Sequence, residues 1–230
     1  MNDNLPRHIA IVPDGNRRWA ELKGVPKIEG HEAGAKRMHQ VVDQLVDLRI
    51  GYLTVWGFSG DNWKRIPEEV DGLLDLVGLW IEKDIAWLYS NGVRLRHIGR
   101  LHELHPDLQE TITAAVDVTR GNQGITLTLA FNYTGRAEIV DAARRIIADG
   151  VPPQNVDEHL FARYLYTDGM PDVDLVIRTA DELRLSNFML WQTAYSEYYF
   201  TPVYWPDFDR VELDKALEAY KQRCRRYGGD

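Results

Sequence analysis

Five short runs rich in β-branched and aromatic residues punctuate the chain, at 8–13 (HIAIVP), 52–58 (YLTVWGF), 93–99 (VRLRHIG), 125–132 (ITLTLAFN) and 174–179 (DLVIRT). Each is bounded by polar residues, Gly or Pro, and reads as a strand. Successive runs begin roughly forty residues apart, which leaves room for a helix between them, as a parallel sheet requires.

Helical patterns occupy the intervals. Over 34–49, Met38, Val41, Val42, Leu45 and Leu48 recur at three- and four-residue steps, one apolar stripe. Over 67–90 the apolar positions Val70, Leu73, Leu74, Val77, Trp80, Ile81, Ile85, Trp87 and Leu88 cover more than one face. Such a helix has apolar neighbours on two sides, either core on both or core and the wall of an apolar cavity. A third helix follows Tyr133, with Ile139, Val140, Ala143, Ile146 and Ile147 expected inward. A fourth, over 211–226, carries Leu213, Ala216, Leu217 and Tyr220 on one side and Lys221, Arg223, Arg225 and Arg226 in its last turns, where cations suit the helix dipole. No repeat, linker or low-complexity tract divides the chain, so residues 1–230 are expected to form one α/β domain, a central mostly parallel sheet flanked by helices.

Charge narrows the partners. With 27 Lys+Arg against 35 Asp+Glu the net charge is −8, which excludes a general nucleic-acid binder. An anionic ligand must meet a local site. The single cysteine, Cys224, allows no internal disulfide, and no apolar run approaches the roughly 20 residues of a membrane-spanning helix. The expectation is a cytoplasmic protein, free to touch a membrane surface.

Ligands of open parallel sheets bind beyond the carboxyl ends of the strands. Here four strand ends carry polar clusters with arginine: Asp14-Gly15-Asn16-Arg17-Arg18, Ser59-Gly60-Asp61-Asn62-Trp63-Lys64-Arg65, Asn132-Tyr133-Thr134-Gly135-Arg136, and residues 178–187 with Arg178, Arg184 and Ser186. In the first cluster, Gly15 lets backbone amides approach an anion, a following helix presents unpaired N–H groups, and the arginines add charge-assisted bonds. Asp14 is a poor phosphate neighbour unless a divalent cation bridges the two, which makes it a Mg²⁺ ligand. Taken alone, the segment reads equally as a capped helix start. Repetition at four strand ends favours a site for more than one phosphate. Glu197 stands among aromatics, where a buried carboxylate needs a metal or cation partner and an exposed one needs none.

Together these segments identify a family. Residues 8–20 (HIAIVPDGNRRWA), Gly30-His31, Phe58-Ser59 with Asn62-Trp63 and Arg65, Asn132-Tyr133 with Gly135-Arg136, residues 174–179, residues 184–188 (RLSNF) and Trp205-Pro206-Asp207-Phe208 resemble, in order and spacing, the cis-prenyltransferases of the undecaprenyl diphosphate synthase group. The likeness spans about residues 7–229. It implies a Mg²⁺-dependent condensation of isopentenyl diphosphate with an allylic diphosphate, forming Z double bonds in a homodimer with an apolar tunnel between sheet and helices. By the same likeness Asp14 is the metal-linked catalytic carboxylate and Asn62 a catalytic loop residue. Gly15, Asn16, Arg17, Arg18, Trp19, Lys27 and His31 serve the allylic diphosphate, and Arg178, Arg184 and Ser186 the isopentenyl one. Ser59, Trp63, Arg65 and Glu69 belong to a positioning loop, Glu197 is a second metal-associated carboxylate, and Arg226 with Gly228 reaches the partner subunit's site.

There are departures. Lys27 stands where the family usually has Arg, replacing a bidentate fork by a point charge. Thr179-Ala180-Asp181-Glu182 replaces Thr-Gly-Gly-Glu, which restricts the backbone and adds a negative charge beside the expected diphosphate. Gly57 places no bulk against chain growth, favouring a medium or long product over C15, and Leu73, Val77, Trp80, Ile81 and Ile85 are expected to wall the tunnel. Rival readings are a catalytically silent subunit of a heteromeric enzyme, a Mg²⁺-dependent phosphoryl hydrolase, and a branched condensation on the same fold.

Overall fold

The computed structural model describes residues 5–223. All five expected strands form: β1 (His8–Val12), β2 (Tyr52–Ser59), β3 (Arg94–Ile98), β4 (Thr126–Tyr133) and β5 (Leu175–Arg178). A sixth, β6 (Glu197–Phe200), lies in the aromatic segment around Glu197. Its four residues are all half-buried at a sheet edge, so its sequence shows neither alternation nor a continuous apolar run. Every pair is parallel, in the order β3-β4-β2-β1-β5-β6. β1 and β4 are buried along their whole length, so β1 reads as an apolar run from Ile9 to Val12, whereas β4 also buries Thr126, Thr128 and Asn132. Ile9 and Ile11 enter the larger hydrophobic core on one face, Ala10 and Val12 the smaller core on the other.

Seven helices connect the strands among the described residues: α1 (Asn16–Lys23), α2 (Lys27–Asp47), α3 (Pro67–Ser90), α4 (Pro106–Thr119), α5 (Gly135–Ala148), α6 (Glu158–Tyr164) and α7 (Arg210–Lys221). α3 has the bounds its pattern predicts. α2 begins seven residues before its apolar stripe, because its first turns are polar and face the site rather than the core. α7 buries Leu213, Ala216 and Leu217 as expected. The inward face of α5 differs from expectation. Val140 is 45% and Ile147 77% exposed, while Glu138, Ala142 and Ile146 are buried at four-residue steps. A polar residue holds one inward position, which rotates the helix away from the face that hydrophobicity alone selects. No helix among the described residues is long and apolar enough to cross a membrane.

One stretch of the sheet is irregular. The β2–β4 register shifts between Trp56 and Phe58, where Gly57 is an extra residue in β2, and again between Phe58 and Ser59, where Asn132 is an extra residue in β4. A Cβ on Gly57 would lie 3.1 Å from both Leu129 and Phe131.

Candidate active site

The loops after β1, β2 and β5 open on one cavity of about 700 Å³. Its mouth is lined by Asp14, Gly15, Asn16, Arg17 and Arg18, by Ser59, Asn62 and Arg65, and by Arg178, Glu182, Arg184 and Ser186, with His31 from α2. Its interior is apolar: Met38 from α2, Val55, Trp56 and Phe58 from β2, Leu73, Leu76, Val77 and Trp80 from α3, and Leu127 and Leu129 from β4. Thus three of the four polar strand ends share one site. The cluster after β4 does not join them: Arg136 and Gly135 give their backbone amides to Asn187, bracing the 185–187 loop from behind. Of the expected wall, Leu73, Val77 and Trp80 line the cavity, whereas Ile81 is buried in the core and Ile85 packs against it.

Asp14 is fixed from several sides. Its backbone N–H donates to Thr179 Oγ1 at 2.8 Å, its Oδ1 accepts from the Gly15 amide at 2.8 Å, and its Oδ2 accepts from Arg178 Nη2 at 3.0 Å. Gly15 has φ 99°, and a Cβ there would stand 2.6 Å from the Tyr204 ring and 2.9 Å from the Ala180 methyl. Only glycine fits this turn. It leads into α1, whose N-terminus has no side-chain cap, so its first amides are free to meet an anion. α2 lies so close that a Cβ on Gly34 would come within 2.6 Å of Asn16 Oδ1.

The cations at the mouth are all paired with carboxylates. Arg178 Nη1 donates to Ser186 Oγ at 2.9 Å and to the Arg184 carbonyl. Arg18 lies 3.0 Å from Glu182 and 3.8 Å from Asp14, and Arg184 also pairs with Glu182. Glu69 bridges Arg65 at 3.0 Å and Arg17 at 3.5 Å, tying the turn after β2 to α1. Burial, with Arg65 and Arg17 nearby, pushes the His31 imidazole down to about 4, so it is neutral at pH 7, and its Nε2 is buried without a partner. The Arg178 Nε is likewise buried and unpartnered. Both atoms suit an anion arriving in the cavity.

The turn Gly60–Lys64 is held by a reciprocal cap. Ser59 Oγ accepts from the Asp61 amide at 3.1 Å, and Asn62 Oδ1 accepts from the Ser59 amide at 2.9 Å. Trp63 does not line the cavity; its Nε1 donates to Asn132 Oδ1 at 2.8 Å. Trp19 also points elsewhere, donating to Asp207 at 3.0 Å, and Lys27 starts α2 as an exposed residue. Glu197 lies at another level of the sheet. Register sets it beside Leu175, level with Ile9, whereas Asp14 follows Val12, level with Arg178 and Phe200. The two ends differ by about 10 Å along the strand, and Glu197 accepts from Arg223 at 2.7 Å. Within one chain the structure does not bring Glu197 to Asp14. Arg226 and Gly228 lie outside the described residues, as does Cys224.

A ring of arginines over an apolar interior suits a substrate with an anionic head and a hydrocarbon body, and the fold with this site defines a transferase of prenyl groups. The sequence matches, over residues 12–228, the family described as putative undecaprenyl diphosphate synthase. The chain belongs to that prenyltransferase family. It is 48% identical over 229 residues to an isoprenyl transferase of Fusobacterium nucleatum, covering 100% of this chain and 98% of that one. It is 46% identical to an isoprenyl transferase of Brucella suis, covering 97% and 90%. The fold superposes with TM-score 0.96 and 37% identity on lavandulyl diphosphate synthase from Lavandula x intermedia, solved in complex with dimethylallyl diphosphate, covering 99% of this chain and 100% of that one. A probable undecaprenyl diphosphate synthase from Campylobacter jejuni superposes with TM-score 0.83 and 30% identity, with the same coverage.

Proposed function

We propose that this chain condenses isopentenyl diphosphate with an allylic diphosphate, farnesyl or geranylgeranyl, to give a Z-polyprenyl diphosphate of medium to long chain. The observation that carries this reading is the single cavity in which arginines from two strand ends face one another across Asp14, above a continuous apolar interior. Two diphosphates fit such a mouth and one growing hydrocarbon fits such an interior.

Mg²⁺ is the metal the family implies, and the donor set suits it. Asp14 offers a part-exposed carboxylate at the mouth, beside the arginines that would hold the substrate phosphates. Mg²⁺ binds in this manner, through one or two carboxylates together with substrate phosphates. Asp14 would hold it, and when bound it would neutralise charge developing on the leaving diphosphate.

Arg17, Arg18, His31 and the first amides of α1 orient the allylic diphosphate; Arg178, Arg184 and Ser186 hold that of isopentenyl diphosphate. Asn62 and Ser59 set the turn over the cavity. As the allylic C1–O bond breaks, the terminal alkene carbon of isopentenyl diphosphate bonds to C1 and a proton leaves its C2, to a diphosphate oxygen or a water. The interior from Met38 to Leu129 receives the lengthening chain. A homodimer completed by Arg226 and Gly228, and a peripheral membrane contact for product release, belong to the same proposal.

The test is direct. The purified chain is incubated with Mg²⁺, farnesyl diphosphate and labelled isopentenyl diphosphate, and the products are separated by chromatography. Labelled diphosphates longer than the primer are expected. Phosphate release without carbon–carbon bond formation would mean a hydrolase, inactivity of the lone chain a silent subunit, and a branched product an irregular condensation.

A further inference from the structure

Around the mouth, a chain of charges of alternating sign is closed into a ring by one backbone carbonyl. Arg178 pairs with Asp14 at 3.0 Å, Asp14 lies 3.8 Å from Arg18, Arg18 lies 3.0 Å from Glu182, Glu182 pairs with Arg184, and the Arg184 carbonyl accepts from Arg178. Glu182 is the member of this ring to which the proposed reaction gives no task. Its two oxygens go to two different arginines, Oε1 to Arg18 and Oε2 to Arg184. Under the proposed function these arginines serve different substrates. Their own side chains are 42% and 63% exposed, while that of Glu182 is only 20% exposed. Two exposed arms are therefore held by one better-buried clasp.

We propose that Glu182 is a positioning residue that couples the two diphosphate subsites, so that a substrate seated on Arg184 tightens binding at Arg18 and the reverse. The inference rests on the assignment of Arg18 and Arg184 to the two diphosphates. Physically, an anion that orders one guanidinium orders Glu182 with it, and the second guanidinium then has less freedom to lose when its own ligand arrives. Without the carboxylate the two cations face one another unscreened and move apart, and each subsite then acts alone. A carboxylate that merely lowered the local positive charge would shift both affinities and leave their interdependence unchanged.

The experiment measures binding of a non-reactive farnesyl thiolodiphosphate by calorimetry, with Mg²⁺, in the absence and presence of saturating isopentenyl diphosphate. For the wild-type chain the second condition should tighten binding by about fivefold or more, and the reciprocal titration by the same factor. In Glu182→Gln, which keeps the shape and removes the charge, that factor should fall to about one while each ligand alone still binds. Thermal unfolding of the variant checks that the fold is retained. A wild-type factor near one overturns the coupling without any variant, and so does a Glu182→Gln factor equal to that of the wild type. Failure of either diphosphate to bind the wild type would instead overturn the proposed function, which separates the two results.

Discussion

Arg178, the last residue of β5, is 5% exposed in its side chain and donates to Asp14 Oδ2 at 3.0 Å, joining strand ends 164 residues apart in sequence. The same guanidinium reaches Ser186 at 2.9 Å, so one cation orders both the proposed metal carboxylate and the proposed isopentenyl loop. Arg178→Lys keeps the charge and loses the fork. Charge-assisted bonds of this kind contribute roughly 1.5–3 kcal/mol, so KM for isopentenyl diphosphate should rise about ten- to a hundredfold in steady-state assays. Asp14→Ala should abolish turnover while diphosphate binding, followed by calorimetry, falls far less; an active variant would overturn the assignment.

Trp63 reaches Asn132 across the sheet, and Asn132 Nδ2 in turn donates to the Arg100 carbonyl at 3.0 Å and to Glu103 at 2.9 Å. The turn after β2 is thereby anchored to the end of β4. Trp63→Phe removes the N–H donor together with one ring of the indole and should cost the turn about 1 kcal/mol or more of anchoring. The expected result is a several-fold higher KM for isopentenyl diphosphate with kcat changed less, and faster hydrogen exchange in residues 60–65. Unchanged exchange would show that the turn is held by its Ser59–Asn62 cap instead.

Ala180 and Asp181 have φ of 68° and 57°, the left-handed region, at the two positions where the family pattern has glycine. The turn keeps its shape because both amides are bonded, to the Val203 carbonyl at 2.8 Å and to the Thr201 carbonyl at 2.9 Å. A left-handed conformation costs a side-chain-bearing residue roughly 1–2 kcal/mol. Asp181→Gly should therefore raise the melting temperature by about 2–4 °C and, by removing a negative charge near Arg184, tighten diphosphate binding. Calorimetric melting and titration read the two effects separately.

Burial pushes the imidazoles of His8, His31 and His97 down to about 4. In the unfolded chain each titrates near 6.5. Between about pH 4 and 6.5 the unfolded state therefore binds more protons, so these groups lend stability that is complete above about 6.5 and lost as pH falls towards 4. Glu138, raised by burial, opposes this in part. Urea unfolding across this range should show stability rising with pH, and His8→Asn should reduce the slope by about one proton while lowering stability throughout, because His8 bonds Thr54 and the Pro171 carbonyl, each at 2.8 Å.

The central strands were legible because β1 is continuously apolar from Ile9 to Val12 and β4 is rich in β-branched and apolar residues, and α3 because its apolar pattern is long. β6 was not, since four half-buried edge residues carry no period. The face of α5 misled because Glu138 occupies an inward position, satisfied by Tyr133 at 2.6 Å and by Gln192 and the Tyr166 amide, none of them adjacent in sequence. Asp14 and the arginines stood out through their strand-end positions. Glu182 did not, because a carboxylate near a phosphate site reads as unfavourable until its two arginine partners, one of them 164 residues away, are seen together. The signal available was its place between Asp181 and Arg184. The anchoring of Trp63 was equally hidden, because its partner Asn132 is 69 residues distant.

The extra residue at Gly57 changes the phase of β2. In an unbroken strand Val55 and Phe58 would point to opposite sides, yet both enter the larger core, while Trp56 stacks on Phe188 in the smaller one at 5.0 Å. Deleting Gly57 would give simple alternation with Phe58 still on the side of Val55, opposite Trp56, but would remove the bend that the bulge puts into β2 below the 60–64 turn. A second shift, between Phe58 and Ser59, sets Ser59 beside Tyr133, in step again with Trp56 beside Ala130, so the two irregularities together turn Phe58 into the larger core while the strand delivers Ser59 to the mouth of the cavity in register.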